Sequence, residues 1–137
     1  IIAALGDHQG GWTLRLDHGT PHFDVVYGHQ RAHLVGTNKI SAGTHQLTVT
    51  MKAGALALFV NDEQVANGHF GGLFMFPGVT NAAGGMWIGR HEGLPIVDSY
   101  SCPNDFTGNI TSVTVSSGSP SSGPSLATTM RIAEGAD

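Results

Sequence analysis

Apolar and polar residues take turns with a period of two along most of the chain up to Ser116, the spacing of strands with one buried face. The pattern is strongest between Gly43 and Gly68. Leu47, Val49 and Met51 alternate with Gln46, Thr48 and Thr50, and Ala55 to Val60 follows as an evenly apolar run of strand length. Gly54 between them suits a turn that needs φ > 0, and Asn61-Asp62 suits the next, because both residue types tolerate the left-handed region. With a short third strand from Gln64 to Ala66, this stretch predicts a β-meander. Before it, Ile1 to Leu5 reads as a strand. Trp12, Leu14 and Leu16 alternate with Thr13, Arg15 and Asp17 as a half-buried strand. Phe23, Val25 and Tyr27 do the same against His22, Asp24 and Val26, and Ala32 to Val35 is a weaker strand. After it, a long loop (69–85) carries Phe70, Phe74 and Phe76, which are expected to tuck it onto the fold. Met86 to Gly89 is a strand and 90–105 a second long loop. Phe106 to Ser116 closes the domain, and its apolar phase slips between Ile110 and Val113, as a β-bulge would make it.

At 137 residues the chain suits one domain. Only 12% of it is charged, and 20 glycines supply turns, which favours an all-β sandwich or barrel over helical classes. From Ser117 the run Ser-Gly-Ser-Pro-Ser-Ser-Gly-Pro-Ser has linker composition. The expected division is therefore a domain over 1–117 and a tail over 118–137, with Leu126 to Asp137 disordered or docked on a missing partner. The chain opens inside an apolar run without a charged leader, which reads as a cut within a strand and as a fragment of a longer protein. A net charge of −4 with scattered cations argues against nucleic acid as a partner. No run of 18 apolar residues suggests a membrane helix. The lone thiol, Cys102, fits a reducing compartment or an exported bacterial protein without disulfides, and leaves location open.

Candidate chemistry is sparse. Eight histidines invite a metal hypothesis, and His18 and His22 flank a turn across which they could meet. Without a third clustered ligand, solvated surface histidines are the preferred reading. The second long loop gathers Asp98, Asp105, Glu92 and Asn104, which makes Asp98 and Asp105 weak calcium candidates, though ordinary turn chemistry, with Asp98 and Asn104 capping loop backbone, is the preferred reading. Arg90, His91 and Tyr100 lie near the same loop and suggest a polar patch for a sugar or sulfate, with Trp87 as a candidate stacking platform. No Gly-x-Ser-x-Gly elbow occurs, and Cys102 has no basic neighbour in sequence to activate it. No catalytic residue is expected.

The order of landmarks is more specific than any one of them: Gly11-Trp12-Thr13-Leu14; Ala42 to Leu47 with the Leu58 to Asp62 hairpin; Ile88-Gly89-Arg90; Pro95 to Tyr100; and Phe106-Thr107-Gly108-Asn109-Ile110. In this order the chain resembles, over residues 1–117, the C-terminal domain of large bacterial arylsulfatases. The resemblance implies an antiparallel two-sheet jelly-roll sandwich similar to laminin-G and concanavalin-A-like lectins. It also implies a partner, an N-terminal sulfatase catalytic domain that binds calcium. Sulfatases work through a Cys or Ser in Cys/Ser-x-Pro-x-Arg, and this chain lacks it: Leu126 stands where Ser122-Gly123-Pro124-Ser125 would need arginine. The implied role is thus a non-catalytic accessory domain without a cofactor of its own, scaffolding or guiding substrate. The alternative is a carbohydrate-binding module.

Overall fold

The computed structural model describes residues 1–7, 9–52, 54–71, 86–92, 95–117 and 124–132. Two five-stranded antiparallel sheets face each other across one hydrophobic core, and no described residue is helical. The protein is an all-β, two-sheet sandwich. In the first sheet, β1 (Ala3–Asp7), β2 (Gly10–Asp17), β3 (Thr20–Tyr27) and β4 (Gln30–Val35) form a meander. In the second, β5 (Gly43–Lys52), β6 (Ala55–Val60) and β7 (Glu63–His69) form the meander expected from the alternation. The chain then returns. β8 (Met86–Ile88) pairs beside β1, and a small ribbon of β9 (Arg90–His91) and β10 (Asn104–Asp105) follows. β11 (Asn109–Ser117) and β12 (Pro124–Ile132) complete the second sheet in the order β11-β12-β5-β6-β7. In both sheets a later strand comes back to lie beside the first strand of a meander, the return that characterises Greek-key sandwiches.

Local chemistry explains the turns. His18 and Gly19 both have positive φ (51° and 83°), and so do Asn61 and Asp62 (51° and 70°). Two such residues make the tight hairpin turn whose twist matches the flanking strands. Asn61 adds a cap, its Oδ1 accepting from the Gln46 amide at 2.9 Å. The core stacks Trp12 and Phe23 (ring centroids 6.3 Å apart) with Leu14, Leu47, Val49, Leu56 and Leu58. Side chains of this size stabilise by roughly 1.5–3 kcal/mol each on full burial. Phe70 is buried in this core as the tucked loop predicts, whereas Phe74 and Phe76 lie outside the described residues. The phase slip in the closing strand appears as a register shift between Ile110 and Ser112.

Two expectations are corrected. The Ser/Gly/Pro-rich tail is not all linker, because Pro124–Ile132 is a strand hydrogen-bonded on both sides, with Leu126 opposite Val49 and Val115. Local composition suggested otherwise because the support comes from β5, far away in sequence. And β2 is not half-buried: every residue from Gly10 to Leu16 is buried, Thr13 and Arg15 included. The segment 95–101 covers the outer face of the first sheet. Ile96 is fully buried there against Gly11, whose backbone is approached so closely that a Cβ would lie 2.9 Å from Ile96 Cδ1 and 2.0 Å from the Leu5 carbonyl oxygen.

Candidate functional site

The covered face carries a polar network that begins on β2. The β2–β3 hairpin sets Arg15 opposite His22 and Thr13 opposite Asp24, and β3–β4 pairing sets Asp24 opposite His33. A period of two then leaves Arg15, His22 and Asp24 on one face. Arg15 Nη2 donates to Ser99 Oγ at 2.9 Å and to Asp24 Oδ2 at 3.4 Å, and Nη1 stands 3.9 Å from Asp17. Asp24 is 2% exposed, so its two cationic-capable partners matter: its other oxygen lies 3.0 Å from His33 Nδ1. His33 Nε2 in turn meets His22 Nδ1 at 3.2 Å. Burial first, and then the Arg15 and His33 charges, lower the pKa of His22 against the opposing pull of Asp17 and Asp24.

Tyr100 links this network to the loop. The Arg15 guanidinium sits 5.5 Å from the centre of its ring. Its hydroxyl accepts from the Ile96 amide at 2.9 Å and shares a hydrogen bond with His91 Nδ1 at 2.9 Å. Burial pushes the phenol up to about 12 and pulls the His91 imidazole down. Trp87 stands next in line, its ring 6.1 Å from His91. Among the described residues, Arg15 Nε, Trp87 Nε1 and His91 Nε2 are buried without a hydrogen-bond partner.

Of the residues singled out from sequence, Trp87, His91 and Tyr100 do come together in a ladder, His91 buried and the other two half-buried. Arg90 faces solvent and holds Glu92 Oε1 at 2.8 Å and Asp105 Oδ1 at 2.9 Å. That guanidinium occupies the carboxylate a calcium ion would need. Asp98 is exposed on a different cleft, and no group of three or more His, Cys, Asp or Glu suited to a metal occurs among the described residues. Asp98 and Asp105 therefore do not fit a calcium site. Burial raises the Cys102 thiol, which keeps it in its unreactive protonated form.

Two clefts border the network. One, of about 390 Å³, is lined by Arg15, Asp17, Ser99, Tyr100, Asn104 and Thr107. The other, of about 440 Å³, lies between Asp24, Arg31 and His33 on one side and Val97 to Ser99 on the other. Sequence reasoning missed Arg15, Asp24, His22 and His33 as a group. One signal was present: Val25-Val26 breaks the alternation of β3 with two adjacent apolar residues, as a strand covered on both faces does. Compared with models of protein families, with curated proteins and with solved structures, the chain finds no match.

Proposed function

We propose that this chain is the non-catalytic accessory β-sandwich of an arylsulfatase-like sulfuric ester hydrolase, a scaffold or substrate guide for the catalytic domain. The observation that supports this reading is the employment of the motif residues. Ile88-Gly89-Arg90, Pro95 to Tyr100 and Phe106 to Ile110 jointly build the connection between β8 of the first sheet and β11 of the second. The Phe106 amide donates to the Gly89 carbonyl at 2.8 Å, Tyr100 holds Ile96, and Arg90 ties β9 to β10 through Asp105. Side chains so engaged shape a rigid surface for docking and perform no bond-breaking chemistry themselves. The coding sequence upstream of Ile1 is the test. A Cys/Ser-x-Pro-x-Arg motif is expected there, and an upstream frame without one overturns the reading.

A carbohydrate-binding module is the second reading, favoured by the smaller cleft. Arg15, Ser99, Asn104 and Asp17 offer it donors and acceptors at the scale of one sugar ring. On a glycan array the chain would then bind a defined set of glycans, and Asp17→Ala would abolish it. Silence across neutral and sulfated glycans rejects this second reading and leaves the first standing.

A further inference from the structure

We propose that His22 and His33 form a two-histidine site for a divalent transition-metal ion on the outer face of β3 and β4, with Asp24 orienting one of the two ligands. The pairing register makes the two histidines diagonal neighbours, since His33 lies opposite Asp24 and His22 opposite Val35. Diagonal positions on one face are within reach of long or aromatic side chains. The rings meet edge-on, tilted by 61°, and bring His22 Nδ1 within 3.2 Å of His33 Nε2. Two imidazole nitrogens bound to one ion at about 2.0–2.1 Å stand roughly 2.9–3.4 Å apart, from square-planar to tetrahedral angles. The pair is held at that spacing by a hydrogen bond, and an ion bridging the two nitrogens would displace the proton between them.

Asp24 supplies what a pair of surface histidines ordinarily lacks. Its Oδ1 accepts from His33 Nδ1 at 3.0 Å, which fixes the proton on that nitrogen and leaves the Nε2 lone pair aimed at His22. A carboxylate behind a histidine in this way orients a metal ligand and raises its basicity. Asp24 cannot swing away, because it is buried and held by Arg15. The charges around the pair are two guanidiniums, Arg15 and Arg31, and two carboxylates, Asp17 and Asp24; they offset one another, so the two imidazole nitrogens must supply the affinity. The His33 side chain is 45% exposed, so water completes the coordination and leaves positions open to an exogenous oxygen ligand. Imidazole suits Cu²⁺, Ni²⁺ and Zn²⁺, with copper the tightest of the three. The site is independent of the accessory-domain reading.

Calorimetric titration of the purified chain with Cu²⁺ and, separately, Zn²⁺ tests the site. One ion per chain is expected, with copper the tighter. His22→Ala and His33→Ala should each weaken binding at least about tenfold, and Asp24→Asn about tenfold, the usual loss when such a supporting carboxylate goes. His18→Ala, on the exposed turn beside Asp17, should leave affinity unchanged. No binding by the parent chain overturns the site, and so does unchanged affinity in both histidine variants. A loss in His18→Ala would also overturn it, by moving the ligand set elsewhere. A melting curve accompanies each titration. If Asp24→Asn proves unfolded, the two histidine variants decide alone.

Discussion

On β5, Leu47 and Val49 are buried while Thr48 and Thr50 remain half-buried on the far side. On β2, Thr13 and Arg15 hold the corresponding polar phase and are as buried as Leu14 and Leu16. One alternating pattern thus serves two environments. The second sheet turns its polar phase toward water, where each hydroxyl can be solvated. The first sheet folds a loop over its polar phase, so polar atoms there depend on protein partners, which in the Arg15 guanidinium all but Nε find. The difference is energetic. A polar side chain on the open face can be exchanged freely, whereas on the covered face it belongs to a network that loses several contacts at once.

Mutations should separate the two faces sharply. The largest effect is expected from Asp24→Leu, which leaves Arg15 buried without its carboxylate; about 3–5 kcal/mol of stability should vanish in urea titration. Replacing both, Arg15→Met with Asp24→Leu, should recover much of that loss, and no recovery would show that the pair is not the reason. Next comes Gly11→Ala, whose Cβ meets the Leu5 carbonyl and Ile96; about 1–3 kcal/mol is expected, and a neutral result would mean that the loop does not seat as described. Tyr100→Phe strips the Ile96 amide and His91 of a shared partner and should cost about 1–3 kcal/mol in thermal or urea melts.

His91 gives the covered face a pH signature. Burial lowers its pKa in the fold, so below about pH 6.5 the unfolded chain takes up a proton that the folded chain resists. Stability should therefore be full above that pH and decline as pH falls through it. His91→Gln should flatten the slope of urea midpoint against pH between 7.5 and 5, and an unchanged slope would remove His91 from the explanation. The smallest effect belongs to the open sheet. Gln64→Thr, at an exposed position of β7, should stay within about 0.5 kcal/mol.

The open sheet was legible because its signals are local. Asn61-Asp62 and Gly54 announce their turns by residue type, Leu47 to Met51 its face by period, and Ile110 to Val113 its bulge by a slip in phase. The covered face was not, because what buries Arg15 is Ser99 and Tyr100, more than eighty positions on (the Arg15–Ser99 separation is 84). A charged residue in a polar phase looks solvated until the register of three strands brings Asp24 and His33 to it. The candidate loop was found through Tyr100 and His91, while the strand residues beneath it stayed hidden for that reason. β12 was overlooked for a related one: its neighbours in sequence are Ser, Gly and Pro, and its neighbours in space are β5 and β11.

That last strand also sets an order of events during synthesis. β5 leaves the ribosome well before β12 and pairs with β6 as soon as that follows, but its other edge stays unpaired until Pro124–Ile132 has been made. For all that time a long strand with an apolar face offers free amides and carbonyls to any chain nearby, the usual template for edge-to-edge aggregation. A nascent chain stalled before Pro124 would carry the meander complete and the sheet open. Its vulnerable interval is set by translation speed between β6 and Ile132, so rare codons there would be expected to lower the yield of soluble protein without changing a single residue.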